Sequence, residues 1–538
     1  MLTESEAGVL VGGSDALLAI EIVFLLLIVA TALAIVARRI GIPYPILLVI
    51  GGLLLGLVPG LPKVELEPDV VFLLFLPPIL FAAGYFTSIR DFRANARKIG
   101  LLAVALVLVS AAAVAVVVEA LVPGVGWAAA FALGAIVAPP DAVAATAIFR
   151  RLGVPRKIVT ILEGESLIND ATALVTYRTA LGVAAGGSLT VAGLTGNFVI
   201  LAVGGVAVGL VVGAVVAWLV MRVNDPVFSI VITFLAPIAA YLPAEELGFS
   251  GVLAAVAGGI WLGAHAPRTL SSEVRVAGVA AWQVLLFLIN GAVFILIGLQ
   301  LPGVIAALSG RSAGELLGLA AAVCLTVIVV RIVWVFVSIY VPYWLGSIRA
   351  AEAPPSGRGV FLVSWAGMRG VVSLAAALAL PRTLPDGSPF PERDLLIFLA
   401  FSVILVTLVG QGLTLPLVVR GLGITTDGRD EDEEAQARNV ASEAAVARLD
   451  ELATEWPGHL PLIDTLRAQY SHRATHNEPD RPQSEAEQEL IEHRQIRRAV
   501  IEAEREAALR MREDGAISDE AFRRVERDLD LEELRMEA

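Results

Sequence analysis

Thirteen apolar stretches separated by polar loops occupy the first 420 of the 538 residues. Most are long enough to cross a hydrocarbon core about 30 Å thick. Because lipid offers no hydrogen bonds, a chain of this kind must satisfy its backbone within helices. The sequence therefore predicts an all-α polytopic membrane protein, with helices near 15–37, 44–58, 70–86, 99–119, 127–149, 158–180, 195–221, 227–243, 248–264, 279–300, 314–344, 359–381 and 394–420.

Charge divides the chain just after Arg420. Residues 1–420 carry 23 basic and 22 acidic side chains, whereas residues 421–538 carry 16 and 30. The second part lacks long apolar runs and pairs opposite charges at helical spacing, which is typical of soluble helices. We therefore expect a transmembrane domain over 1–420 and an acidic, mostly helical tail over 421–538, with a regulatory or assembly role.

The charges in the loops predict the orientation. With the N-terminus outside, 16 basic residues fall in inside loops and four in outside loops. Cytoplasmic loops of membrane proteins are enriched in Lys and Arg. We expect a multi-pass protein of the cell (plasma or inner) membrane, with its tail in the cytoplasm.

The fifth and twelfth predicted helices contain residues that interrupt a helix. The fifth carries Pro139 and Pro140 before Asp141, and the twelfth carries Arg369 between glycines. Their separation by seven helices matches two inverted six-helix repeats joined by a linker helix, an arrangement in which interrupted helices hold the ion site. The alternative is a pair of kinked packing helices, which leaves the charges unexplained.

The sixth predicted helix contains the sequence GESLIND. Glu165 and Asn169 are four residues apart, as are Ser166 and Asp170, so these side chains share one face. A charge at the centre of a membrane helix costs at least roughly 2.5 kcal/mol, which makes the cluster a functional-site hypothesis. Buried Glu165 needs a cation or a proton, and we expect it to pair with Arg369, with Asn169 bridging the pair.

Asp170 then lacks a fixed cationic partner and can hold either a proton or a small cation. A dehydrated hard cation needs several oxygen ligands, and the candidates are Asp170, Asp141, Ser166 and the main-chain carbonyl of Pro140. No sulfur or histidine nearby suggests a transition metal, so we expect only a monovalent cation. The alternative is a hydrogen-bonded Asp170 with a structural role.

Five segments carry a family resemblance: LPPILFAAGYF, APPDAVAATAIF, GESLIND, IVVRIVWVF and GMRGVVSLA. Over roughly residues 20–420, the chain resembles the monovalent cation:proton antiporter type 1 family, in the bacterial and eukaryotic sodium/proton exchanger group with an Asn-Asp pair. The resemblance implies thirteen helices with a six-helix ion-carrying core beside a dimerisation domain. It also implies a homodimer and electroneutral exchange by an elevator-like movement.

The resemblance implies a role for each matching residue. Asp170 is the ion and proton carrier, Asn169 the neutral member of the pair, Ser166 and Asp141 further ion-site groups, Glu165 and Arg369 the structural ion pair, and Arg331 a structural or gating residue. Two positions depart from the family. Ala82 stands where many relatives have an acidic residue, and Pro140 stands where many have a polar one.

The sequence as a whole predicts a secondary transporter rather than an enzyme. We expect it to exchange Na⁺, with K⁺ or Li⁺ as alternatives, for H⁺, without a cofactor and without a nucleic-acid partner. Its expected partners are membrane lipid and a second copy of the chain. The alternatives are a sodium-coupled transporter of an organic solute, a cation channel gated by the tail, and a membrane sensor with a degenerate transporter core, which the missing acidic group at Ala82 would support.

Overall fold

The computed structural model describes residues 4–59, 71–186, 191–223, 225–308, 310–344, 356–424, 429–476 and 483–537. Cα proximity divides the chain into two compact units, Met1–Thr426 and Asp427–Ala538. Within the described ranges all regular structure is helical, and the only strand-like pairing is an isolated bridge between Thr383 and Pro389. The predicted all-helical class is confirmed.

The helices of the first unit are numbered in chain order. They are α1 (Glu4–Ile40), α2 (Tyr44–Gly56), α3 (Leu76–Phe86), α4 (Ile89–Gly100), α5 (Leu106–Leu121), α6 (Trp127–Val137), α7 (Ala142–Leu152), α8 (Arg156–Ala184), α9 (Val191–Arg222), α10 (Pro226–Glu246), α11 (Gly251–Thr269), α12 (Ser272–Ala307), α13 (Ala313–Trp344), α14 (Gly357–Trp365), α15 (Val371–Leu378), α16 (Arg393–Leu405) and α17 (Gly412–Leu422). Single π-helical turns precede α3, join α4 to α5 and join α16 to α17.

Seven helical stretches of the described chain are long and apolar enough to cross a membrane. They are Ile89–Leu121, Trp127–Leu152, Phe198–Arg222, Pro226–Glu246, Ser272–Ala307, Ala313–Val341 and Arg393–Leu422. Tyr44–Gly56 and Phe72–Phe86 are shorter apolar helices. The chain is a multi-pass membrane protein, whereas the count of thirteen spans and the inverted repeat stay predictions.

Small residues bring α9 and α11 into close contact. The spacing of Gly205, Gly209 and Gly213 predicts this packing, because small residues let membrane helices approach each other. A Cβ atom at Gly205 would lie 2.4 Å from the carbonyl oxygen of Ser250, and one at Gly209 would lie 2.2 Å from that of Ala254. The prediction of close packing is confirmed.

Two short non-helical segments position the polar centre of the first unit. We call 138–141, between α6 and α7, the proline segment, and 366–370, between α14 and α15, the arginine segment. The main-chain nitrogen of Asp141 donates to the carbonyl of Met368 at 2.6 Å. The two segments therefore touch each other, and the unbroken helix α8 passes beside them.

The second unit consists of α18 (Arg429–Glu455), α19 (Leu460–His476), α20 (Gln483–Glu513) and α21 (Asp519–Glu537). Ion pairs connect neighbouring helices: Arg467 lies 2.8 Å from Asp450, and Arg505 lies 2.7 Å from Asp530. The role of this tail stays a prediction.

Candidate cation site

Helix α8 is hydrogen-bonded to the proline segment at two points. The Asn169 side-chain nitrogen donates to the Pro140 carbonyl at 2.8 Å, and the Ala142 main-chain nitrogen donates to the Ser166 hydroxyl at 3.4 Å. A segment without helical hydrogen bonds leaves main-chain groups that need other partners. The polar face of α8 supplies these partners, so the Pro140 carbonyl is already an acceptor.

Asp141 begins helix α7. Its Oδ1 accepts a hydrogen bond from the Val143 main-chain nitrogen at 2.8 Å, which is the usual geometry of an aspartate N-cap. A Cβ atom at position 370 would lie 1.8 Å from the other carboxylate oxygen of Asp141. The close approach of the Asp141 carboxylate leaves no room for a side chain at Gly370. This steric requirement explains the second glycine of the GMRG sequence.

Glu165 pairs with Arg331 on α13, so the predicted Glu165–Arg369 pair is wrong. The two Arg331 terminal nitrogens donate to the two Glu165 carboxylate oxygens at 2.5 and 2.9 Å. Both side chains are only 1% exposed. Asn169 does not bridge this pair, because its nitrogen binds Pro140 and its Oδ1 has no hydrogen-bond partner among the described residues. The Arg331–Glu165 contact is a bidentate, buried ion pair.

Arg369 instead satisfies main-chain carbonyls where helices are interrupted. Its Nε donates to the Val137 carbonyl, at the end of α6, at 3.1 Å, and its Nη1 makes a close hydrogen bond to the Gly367 carbonyl. Its main-chain nitrogen donates to the Thr407 hydroxyl at 3.2 Å. The guanidinium is held by carbonyl dipoles rather than by a carboxylate, which is the physical reason for the correction.

A cavity of about 440 Å³ brings three of the predicted cation-site groups together, whereas Pro140 is not among the residues that line it. Asp141, Ser166 and Asp170 all line it, and Asp170 is 7% exposed. Ala82 on α3 lines the same cavity, so this part of the wall presents a methyl group instead of a carboxylate. The carboxylates and hydroxyl around the cavity are hard oxygen donors that suit a small cation.

Asn290 on α12 also lines this cavity, and the sequence analysis missed it. It is 6% exposed, and its Oδ1 has no hydrogen-bond partner within the described chain. A buried polar atom without a partner costs free energy, so such an atom calls for an explanation. The sequence feature that could have pointed to Asn290 is its position as a single amide in the apolar run FLINGAVF.

Ion pairs lie near both ends of α8. Arg150 and Glu163, 2.9 Å apart, line the cavity at the end that the loop charges predict to be inside. Arg178, near the other end of α8, lies 2.8 Å from Glu245 on α10. The cavity therefore extends from Asp170 toward the predicted inner end, while an ion pair joins α8 to α10 at the opposite end.

Comparisons with known proteins identify the family and support the fold. The chain matches the family model described as sodium/hydrogen exchanger, transmembrane, over residues 23–421. It is 36% identical over 533 residues to an uncharacterized Na⁺/H⁺ exchanger of Mycobacterium tuberculosis, covering 97% of each chain. It is 31% identical over 518 residues to the sodium, potassium, lithium and rubidium/H⁺ antiporter of Bacillus subtilis, covering 93% of this chain and 76% of that protein.

The fold is similar to that of the sodium proton antiporter MjNhaP1 from Methanocaldococcus jannaschii. The TM-score is 0.59 at 19% identity, covering 76% of this chain and 99% of that chain. The family resemblance predicted from the motifs is confirmed by the match over residues 23–421. The chain belongs to the sodium/hydrogen exchanger family, whose members are antiporters and not enzymes.

Proposed function

We propose that the protein exchanges one Na⁺ for one H⁺ by competition at the carboxylate of Asp170. The observation that carries this proposal is the contrast between two buried carboxylates on α8. Arg331 neutralises Glu165, whereas no described lysine or arginine forms an ion pair with Asp170, which faces the cavity. A carboxylate in that position is most stable when it holds a proton or a cation.

The proposed cation ligands are oxygen atoms around the cavity. Asp170 and Asp141 contribute carboxylates, and Ser166 contributes its hydroxyl. The main-chain candidate is the Pro140 carbonyl, which accepts a hydrogen bond from Asn169 and belongs to a residue next to the cavity wall rather than in it. We add the unpartnered Oδ1 of Asn290, because it is a neutral oxygen in a wall where Ala82 removes the acidic group of many relatives. Waters complete the shell of a hard cation.

One-for-one exchange follows from the charges that stay fixed. Asn169 is neutral, Glu165 remains paired with Arg331, and Asp141 is held as the N-cap of α7, so we take Asp170 as the group that changes its occupant during the cycle. Arg331 and Arg369 have supporting roles, the first for Glu165 and the second for the carbonyls of the helix ends. Alternating access of the elevator type then exposes a loaded Asp170 to each side in turn.

Na⁺ is the first choice of cargo, with K⁺ and Li⁺ as alternatives. The related Bacillus subtilis protein is named for exchange of sodium, potassium, lithium and rubidium, which supports testing all of these ions. We propose a homodimer in the plasma or inner membrane, with the N-terminus outside and the tail in the cytoplasm, acting in sodium transport and pH homeostasis. Neither the solute transporter nor the tail-gated channel is favoured by the site.

The test is cation-driven proton flux in proteoliposomes. Asp170→Asn removes the titratable carboxylate and is expected to abolish the flux for every cation. The matched control is Asp225→Asn, the same substitution at the N-cap of α10, where asparagine can also cap the helix. This control keeps the wild-type flux. Persistent exchange in Asp170→Asn would contradict the proposal, and a membrane potential generated by exchange alone would contradict the one-for-one stoichiometry.

A further inference from the structure

A second cavity, of about 650 Å³, is lined by three arginines. Arg38 lies in the last turn of α1, Arg151 in the last turn of α7, and Arg420 in the last turn of α17. We call this cavity the arginine pocket. None of the described residues that line it is acidic, so three positive charges surround one space without a carboxylate.

The three arginines of the pocket differ from Arg150 and Arg156, which lie close to Arg151 in the sequence. Arg150 and Arg156 form ion pairs with acidic side chains, whereas Arg38, Arg151 and Arg420 form none with the described residues. The chain nevertheless brings a turn against Arg151. Gly41 has a φ of +79°, and a Cβ atom there would lie 3.2 Å from an Arg151 terminal nitrogen.

An anion is the missing partner of such a cluster. Guanidinium groups present paired donors in a planar fork that matches the oxygens of a phosphate group. The three guanidinium groups that line this cavity repel one another, and a bound anion would offset this repulsion. The chemistry of the walls therefore selects a phosphate ester over a neutral ligand.

The flank of the arginine pocket is apolar and open. Ile35 and Ile40 line the pocket and are 53% and 56% exposed, and Leu417, one turn before Arg420, is 67% exposed. In a membrane protein, exposed aliphatic side chains of this kind face acyl chains. Basic residues beside them at the predicted inner end of the helices match the headgroup region of anionic lipid.

The arginine pocket adjoins the cation cavity. Tyr44, Ala147 and Phe287 line both spaces, and the Tyr44 and Phe287 rings lie 5.8 Å apart. The two cavities therefore share part of their walls. A ligand in the pocket contacts α1 together with α7, the helix that Asp141 caps.

We propose that the arginine pocket binds the phosphate of an anionic phospholipid, with the acyl chains along Ile35, Ile40 and Leu417. This site does not rest on the exchange proposed above, and its test does not measure exchange. The probes are short-chain phosphatidylglycerol, phosphatidylcholine of the same chain length, and inorganic phosphate. Each is added to the full-length, delipidated protein in detergent, and the unfolding temperature is measured.

Phosphatidylglycerol is expected to raise the unfolding temperature in a saturable manner, and the other two probes are not. Arg38→Gln, Arg151→Gln and Arg420→Gln each raise the half-saturating lipid concentration by about fivefold. The matched control is Arg39→Gln, which removes the same charge from the neighbouring position, which is also exposed and lies outside the pocket. This control leaves the half-saturating concentration unchanged.

Three results would overturn the proposal. The first is an equal response to phosphatidylcholine, the second is an equal response to inorganic phosphate, and the third is an equal loss of response in Arg39→Gln. If a pocket variant lowers the ligand-free unfolding temperature, native mass spectrometry of bound phosphatidylglycerol replaces the thermal measurement. The proposal would then be overturned if the variant with all three arginine substitutions bound as much phosphatidylglycerol as the wild-type protein.

Discussion

The proline segment and the arginine segment touch through one hydrogen bond, yet they present opposite groups. The proline segment ends in the carboxylate of Asp141 and presents the Pro140 carbonyl, so its polar groups are oxygens. The arginine segment carries a guanidinium and no carboxylate. Arg369 donates to the Val137 carbonyl at the end of α6, next to the proline segment. The side chain of the arginine segment thus supplies a donor to a carbonyl at the end of the helix that the proline segment interrupts.

In the proposed exchange, this difference gives the two segments different roles: the arginine segment supports the structure, and the proline segment contributes oxygen groups to the ion site. Prolines remove main-chain donors, which leaves carbonyls unsatisfied, and glycines make room for a bulky side chain and a carboxylate. A Cβ atom at Gly367 would lie 2.3 Å from Arg331, just as one at Gly370 would overlap Asp141. In the proposed exchange, the arginine segment supports the helix ends, and the proline segment, together with α8, supplies the oxygen groups for the cation.

The largest effect is expected from removing the partner of Glu165. Arg331→Met leaves an uncompensated buried carboxylate and lowers the free energy of unfolding by about 3–5 kcal/mol. Arg369→Met leaves carbonyls without donors and costs less, about 1–3 kcal/mol. The free energy of unfolding of both variants is measured in detergent. Adding Glu165→Gln restores much of the stability of Arg331→Met but not of Arg369→Met, and the reverse pattern would mean that Glu165 pairs with Arg369.

The next effect concerns the contact between the two segments. Gly370→Ala forces a methyl group into the space of the Asp141 carboxylate, which costs about 1–3 kcal/mol and displaces the cap of α7. Proton flux in proteoliposomes is expected to fall at least tenfold. The matched control is Gly182→Ala on α8, where a Cβ atom meets nothing within 4 Å among the described atoms. Equal flux in the two variants would show that the contact does not matter.

The smallest effect is expected at the newly found polar residue of the cavity. Asn290→Ala removes one neutral oxygen, worth about 1 kcal/mol, and raises the half-saturating Na⁺ concentration about fivefold without abolishing flux. Ser229→Ala serves as the control, because the Ser229 hydroxyl is also buried without a described partner but does not line the cavity. An unchanged Na⁺ dependence in Asn290→Ala would remove this residue from the proposed ligand set.

Features that follow from periodic sequence patterns could be predicted, whereas the pairing of particular side chains between helices could not. The apolar stretches gave the helical membrane class, and the four-residue spacing in GESLIND placed its polar side chains on one face of α8. Glycine spacing predicted that α9 packs closely against a neighbouring helix, although not that this helix is α11. These features are local, because each depends on how residues repeat along a single helix.

The partner of Glu165 depends on which buried arginine packs nearest to it in space. Arg369 was the expected partner because it lies beside an interruption, whereas Arg331 occurs in an otherwise regular apolar helix. Asn290 was missed for a similar reason, since one amide in an apolar run gives no periodic signal. Both depend on tertiary packing between helices distant in the sequence.

The ion pair between Arg178 and Glu245 bears on whether the proposed transport can run in both directions. The Arg178 side chain is 52% exposed. An exposed pair contributes about 0–1 kcal/mol, which biases a two-state equilibrium by no more than about fivefold. In the proposed cycle, such a contact cannot hold the protein in one arrangement. Net flow then follows the electrochemical gradients of the two ions, and the same molecule runs in reverse when they are reversed.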